Sequence, residues 1–281
     1  TATSLVETLL SVNTLYGFRV QAVDAFGTSA LTPSASAYTL ATAPTGLGTA
    51  SVSTGSAVLS WSSTNPNYTR FELALSLDNF VANFSTPVPI SSNHTALTTG
   101  LASLAPQTTY YVRVRAFNGR NSDSSTPGTA FTAVLAGTFN TLPGAPGSLS
   151  GSALGATSVT WSWSAVPTAT SYTLESSTGG NLAVTSGLSH TVTGLSANTL
   201  YSARLRANTP SGSGDFGAFQ TTFTDPIPPT GTAVASVSTA TARITWNANA
   251  NPSGTGYQLQ VATLAGFGSI LSAVSVTQNE A

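Results

Sequence analysis

The sequence predicts an all-β chain, built as a linear array of beads with a half-bead at each end. Three observations carry this. Apolar residues alternate with polar ones, as in Tyr110, Val112, Val114 and Ala116, in Phe71, Leu73 and Leu75, and in Tyr257, Leu259 and Val261, and no stretch sustains a helical period. A pattern of Leu, Thr, Tyr, Arg and Ala at fixed offsets recurs three times: Leu10, Thr14, Tyr16, Arg19, Ala22; Leu104, Thr108, Tyr110, Arg113, Ala116; and Leu195, Thr199, Tyr201, Arg204, Ala207. Tryptophan strands stand at Trp61, at Trp161 with Trp163, and at Trp246. Each tyrosine pattern should follow a tryptophan strand, yet none precedes Tyr16 and no tyrosine strand follows Trp246.

Proline-rich connectors punctuate the chain at matching places: Thr39 to Pro44, Thr141 to Pro146, and Thr224 to Pro229. Proline fixes its own φ and holds the preceding residue extended, so these read as short, semi-rigid joints between beads set in line. The expected division is 1–43 as a C-terminal half, 44–143 and 144–226 as complete domains, and 227–281 as an N-terminal half. Tryptophan strands, then aromatic-led strands at Phe71, Tyr172 and Tyr257, then tyrosine strands give each bead its order.

Composition narrows function mainly by exclusion. At 281 residues the chain has room for two or three domains of about a hundred residues each. Charged residues make up 6% and the net charge is −1, which leaves no basic surface for nucleic acid or anionic lipid. The chain has no Cys, hence no disulfide frame, thiolate metal site or cysteine nucleophile. Lysine is also absent, which excludes isopeptide cross-links through a lysine amine. With no Met either, Thr1 is expected to be a processed terminus or the edge of an excerpt. No apolar run approaches the roughly twenty residues that span a bilayer.

A tryptophan on an early strand and a tyrosine at the start of a late strand, in a cysteine-free chain, resemble the fibronectin type III family, and the resemblance covers essentially the whole sequence. It implies a seven-stranded β-sandwich for each bead. It further implies a tyrosine corner at Leu10 and Tyr16, at Leu104 and Tyr110, and at Leu195 and Tyr201. Two departures are visible: a long tail from Asn118 to Asn140, and two tryptophans, Trp161 and Trp163, for one core role.

The terminal halves fit one another. From Phe80 to Tyr110 is thirty residues; aligning Ser76–Phe80 with Thr263–Phe267 and running off the end into Thr1 also gives thirty residues to Tyr16. A half-sandwich exposes its apolar inner face and open strand edges, which makes it an association site. Two causes remain open: an excerpt from a longer tandem array, or separate subunits that complete each other by strand donation. The candidate assembly residues are Thr1, Leu5, Leu9, Phe18 and Val20 at one end, and Tyr257, Leu259, Val261 and Ala281 at the other.

Chemistry is sparse. His94 and His190 lie in different domains with no acid beside either, and no phosphate loop, catalytic triad or carboxylate cluster stands out, so no catalytic, cofactor or metal residue is expected. Arginines on the outer face are expected to pair across strands, Glu72 with Arg113 and Glu175 with Arg204. Asn118-Gly119-Arg120 reads as a tight turn. Sequons at Asn67, Asn83 and Asn93 are candidate glycosylation sites. The expected partner is a further copy of the chain, with glycans as a second candidate, at an extracellular or cell-surface location. The expected role is structural, in a filament or stalk; the alternative is a spacer or carbohydrate-binding module of a larger secreted protein.

Overall fold

The computed structural model describes residues 3–119, 130–263 and 265–277. These form β-strands, loops and a single 3-10 turn at Ile90–Ser92. The chain divides into two compact units, 1–142 and 143–281.

The first unit opens with strands β1 (Leu15–Phe18), β2 (Val23–Asp24), β3 (Gly27–Thr28) and β4 (Ala35–Tyr38), in which β1 pairs with β4 and β2 with β3. A complete sandwich follows: β5 (Thr45–Val52), β6 (Ala57–Ser62), β7 (Phe71–Ser76), β8 (Ser85–Val88), β9 (Thr98–Leu101), β10 (Thr109–Ala116) and β11 (Leu135–Asn140). One sheet runs β5-β6-β9 and the other β11-β10-β7-β8. Period-two alternation decides what lies between them. In β10, Tyr110, Val112, Val114 and Ala116 are buried while their neighbours are only half-buried, and Leu59, Trp61, Phe71 and Leu73 meet them from the other strands.

The second unit repeats this plan. Strands β12 (Ser150–Gly155), β13 (Ser158–Ser162) and β16 (Ser189–Thr193) make one sheet. The other joins β15 (Asn181–Thr185), β14 (Ser171–Ser176), β17 (Leu200–Thr209) and β18 (Gly212–Ser213), with β19 (Gln220–Phe223) also on β17. Two hairpins end the unit: β20 (Thr230–Val237) with β21 (Ala242–Asn247), and β22 (Gly256–Ala262) with β23 (Ile270–Thr277).

Both tryptophans of β13 and its exit are buried. The Trp163 N–H donates to the Leu188 carbonyl as the Trp61 N–H donates to that of Leu97, so Trp163 holds the position of Trp61. Trp161 is a second core ring, 1% exposed, at the place of Leu59. Gly151 opposite makes room for it, because a Cβ there would lie 2.8 Å from the Trp161 ring.

The tyrosine corner is built three times with the same bonds. The hydroxyls of Tyr16, Tyr110 and Tyr201 accept the N–H groups of Ser11, Ala105 and Ser196 at 2.8–2.9 Å. Beside each corner stands a threonine one residue past the following strand: the Oγ1 atoms of Thr39, Thr141 and Thr224 donate to the carbonyls of those same three residues at 2.6–2.7 Å. The connectors that start at these threonines are therefore anchored at their first residue.

On the outer face, Glu175 pairs with Arg204 at 3.0 Å. Glu72 pairs with Arg115 at 2.6 Å and not with Arg113, because the strand register places Arg115 opposite Glu72 and Arg113 opposite Ala74. The Arg113 guanidinium instead lies 4.0 Å from the ring centre of Phe80. In the stretch from Asn118 to Asn140, residues 120–129 lie outside the described residues, and Leu135–Asn140 form β11, which pairs with β10.

Candidate assembly surfaces

Corresponding positions are dry in the complete sandwiches and wet in the half-sandwiches. Two and four residues beyond the corner tyrosine, Val112 and Val114 are 2% and 0% exposed, and Ala203 and Leu205 are 0% and 1%. The same offsets from Tyr16 fall on Phe18 and Val20, which are 44% and 68% exposed. In the complete sandwiches this strand pairs on both edges, β10 with β7 and β11, β17 with β14 and β19. Among the described residues β1 pairs only with β4.

Upstream, residues 4–8 stand at the same distance before Tyr16 as β9 and β16 stand before their tyrosines, yet they carry no strand pairing. Leu5 is 90% exposed, and Leu9 is fully exposed. Leu9 holds φ 61°, matching Ser103 at 57° and Gly194 at 73°, so the chain already turns into its corner as a complete sandwich does. Glu7 falls where the complete sandwiches have Leu101 and Val192; nothing in the structure explains a carboxylate there. Thr1 lies outside the described residues.

The C-terminal hairpins also leave strand edges open. Among the described residues β21 pairs only with β20, whereas β6 and β13 each carry a further strand, β9 and β16, on the opposite edge. Among the described residues β22 pairs only with β23, although its counterparts β7 and β14 are covered by tyrosine strands. Between the hairpins lies an open cleft of about 380 Å³, lined by Ile227, Trp246, Thr255, Tyr257 and Leu259 among others. Trp246 and Tyr257 contact each other at 5.7 Å, as Trp163 and Tyr172 do. Val261 is 43% exposed, and Leu264 and Ala281 lie outside the described residues. Phe80 and Phe267 share left-handed φ values of 62° and 52°, so these two loops turn alike where the sequence aligns them.

The His94 ring lies 6.0 Å from that of Trp61 with Nε2 3.0 Å from the Thr98 carbonyl, and His190 sits opposite Trp161 in the β13–β16 pairing. Among the described residues no cluster of His, Asp and Glu could hold a metal ion. The three sequon asparagines, Asn67, Asn83 and Asn93, are exposed, although Thr69 of the first sequon is buried.

Sequence reading missed the asparagine contacts that join a corner to the next sandwich. Asn13, fully buried, donates through Nδ2 to Thr69 Oγ1 at 2.8 Å, accepts the Gly119 N–H through Oδ1 at 2.7 Å, and its carbonyl accepts the Tyr68 hydroxyl at 2.7 Å. Asn118 accepts the Ala41 N–H at 2.9 Å. Asn118 and Gly119 thus belong to a junction and not to an isolated tight turn, while Arg120 lies outside the described residues. A signal was present: asparagine stands three residues before both Tyr16 and Tyr201.

The seven-strand order, three strands against four with paired tyrosine corners, meets a direct match at residues 42–131, which fit the family model of the fibronectin type III domain. Over these residues the chain is similar to fibronectin type III domains. Such domains are generally structural or binding modules and are common in extracellular proteins. Among solved structures, the chain is similar to the FN1-FN3 domains of chicken CNTN1, at 18% identity and TM-score 0.34, covering 77% of each chain. It is also similar to a two-domain fibronectin type III segment of chicken tenascin, at 17% identity and TM-score 0.36, covering 65% of this chain and 99% of that one. No curated protein sequence matches the chain. Among the described residues no helix is long and apolar enough to cross a membrane.

Proposed function

We propose that this chain is the repeating unit of an extracellular or cell-surface filament or stalk, propagated head to tail through a β-sandwich shared between consecutive copies. The observation that carries it is the contrast in exposure at corresponding positions: Val20 against Val114 and Leu205 on one half, and the open Trp246–Tyr257 cleft on the other. The two deficits are complementary in register. In both complete sandwiches the leading aromatic, Phe71 or Tyr172, faces the alanine six residues beyond the corner tyrosine. The same register sets Tyr257 opposite Ala22, Leu259 opposite Val20 and Val261 opposite Phe18. Likewise Trp61 and Trp163 donate to residues thirteen before their tyrosines, which places Trp246 opposite Thr3 and Ile244 opposite Leu5. Closure removes two apolar faces and two open edges from water together.

The role is structural and non-catalytic, with a further copy of the chain as the principal partner and glycans at exposed asparagines as a second. A spacer within a larger secreted protein is the competing reading, favoured by the Asn13 junction, which holds beads together without any second copy. Electron microscopy separates the two. Filaments are expected with an axial rise on the order of 100 Å per copy, since a strand of about ten residues spans roughly 33 Å and each copy adds three beads. On a denaturing gel, separate subunits run near 28 kDa and a continuous array runs far larger. Protein that remains in isolated strings of beads at every concentration contradicts the proposal.

A further inference from the structure

The second unit holds half of a contact whose complete form stands in the first. In the complete form, both ends of the Asn13 carboxamide are used: Nδ2 on Thr69, and Oδ1 on the N–H of Gly119, nine residues beyond Tyr110. In the second unit Asn198 stands at the same place in its own corner, with φ 44° against 47° for Asn13. Its Nδ2 donates to Thr255 Oγ1 at 2.9 Å, and Thr255 precedes Tyr257 as Thr69 precedes Phe71. Asn198 is nevertheless only half-buried, and its Oδ1 accepts no hydrogen bond among the described residues. A carboxamide oxygen in a closing junction needs a donor, because a buried acceptor left unmatched costs free energy.

The missing donor has a defined address. Nine residues beyond a corner tyrosine belongs to the tyrosine half of a sandwich, and for the split sandwich that half is residues 1–43. The position is Ala25, the first turn residue of the β2–β3 hairpin, where Asp24 pairs with Gly27. Ala25 is exposed and its N–H makes no hydrogen bond among the described residues. The sequence supplies a control. Where the corner asparagine is replaced by the longer Gln107, the residue nine beyond the following tyrosine is Pro210, which has no N–H to donate.

We propose that Asn198 Oδ1 of one copy accepts the Ala25 N–H of the next, so that the 23–28 hairpin docks on its neighbour's 144–226 sandwich while residues 1–43 complete the neighbour's last one. This rests on the shared-sandwich reading and adds to it a second, polar contact between copies. That contact orients the joint.

Two substitutions isolate it. Ala25→Pro deletes the donor in a turn of a kind that carries Pro210 in the neighbouring hairpin, and Asn198→Gly deletes the acceptor at a backbone conformation glycine adopts freely. The concentration of the 281-residue chain at which half the protein sediments as polymer is the readout. Each substitution is expected to raise it about ten-fold, and the double variant no further, since both remove the same hydrogen bond between copies; Asn198→Gly also removes the bond to Thr255 inside its own chain. Asn13→Gly, whose contact closes inside one chain, is expected to leave it within about two-fold. Unchanged concentrations, additive effects, or an equal rise in Asn13→Gly overturn the contact while leaving the shared sandwich standing. Wild-type protein that stays monomeric overturns both.

Discussion

Val20→Asp is expected to abolish assembly while leaving each complete sandwich as stable as before. Val20 is 68% exposed in the single chain, where a carboxylate remains hydrated and surface substitutions stay within about 0.5 kcal/mol. In the shared sandwich the same side chain takes the place held by Val114 and Leu205, which are 0% and 1% exposed. A carboxylate there must either lose its water without a partner or prevent closure, a penalty of several kcal/mol. The concentration needed for assembly should therefore rise by at least about a hundred-fold, which corresponds to about 2.7 kcal/mol. Sedimentation reads the assembly, and urea unfolding of the same sample reads the sandwiches. An assembly curve unaltered by Val20→Asp means that this face never closes; a fall in the urea midpoint as well means that Val20 already belongs to the core of the single chain.

The second large effect is internal. Trp61→Ala should destabilise the 44–143 sandwich by about 3–5 kcal/mol, a fifth or more of the roughly 5–15 kcal/mol that holds such a domain. Trp61 is 4% exposed, with its ring edge-on to Phe71 at 5.6 Å and Leu59, Leu73, Val112 and Val114 in the same cluster. Among the described residues its Nε1 has no hydrogen-bond partner, so the indole contributes through packing. Trp61→Phe should consequently cost much less than Trp61→Ala. Hydrogen exchange across residues 57–116 measures both, and near-equal losses would assign the stability to something other than ring packing.

The sequence made the corners legible because each rests on local offsets: the tyrosine hydroxyl and its N–H donor are five residues apart in all three copies. Pairings between distant strands were legible only where the offsets matched. Glu175 lies three residues beyond Tyr172 and meets Arg204, whereas Glu72 lies one beyond Phe71, so the same register carries it to Arg115. Trp161 and Trp163 are both buried at the end of one strand, and alternation alone could not say that Gly151 leaves room for the Trp161 ring. The asparagine junctions were hidden for another reason. Their partners stand 56 and 57 residues away, and asparagine is commonplace in a chain so rich in small polar residues. Asn118-Gly119 looked like an ordinary turn because a dipeptide carries no record of the corner that docks on it.

Cross-linking of paired cysteines tests the shared sandwich most directly, and a chain without cysteine of its own gives an unmarked background. In the proposed shared sandwich, the register that joins Arg113 to Ala74 and Arg204 to Glu175 would set Arg19 of one copy opposite Gln260 of its neighbour, on the outer face where substitution leaves the core alone. Opposed residues of an antiparallel pair have Cα atoms about 4.5–5.5 Å apart, within disulfide reach, while the diagonal neighbour at about 7–8 Å is not. Oxidised Arg19→Cys/Gln260→Cys protein should run on a non-reducing denaturing gel as a ladder of multiples of 28.3 kDa, and Arg19→Cys/Gln258→Cys protein should stay at one copy. A single-copy band from both double variants, at concentrations where the wild type sediments as polymer, would contradict the account.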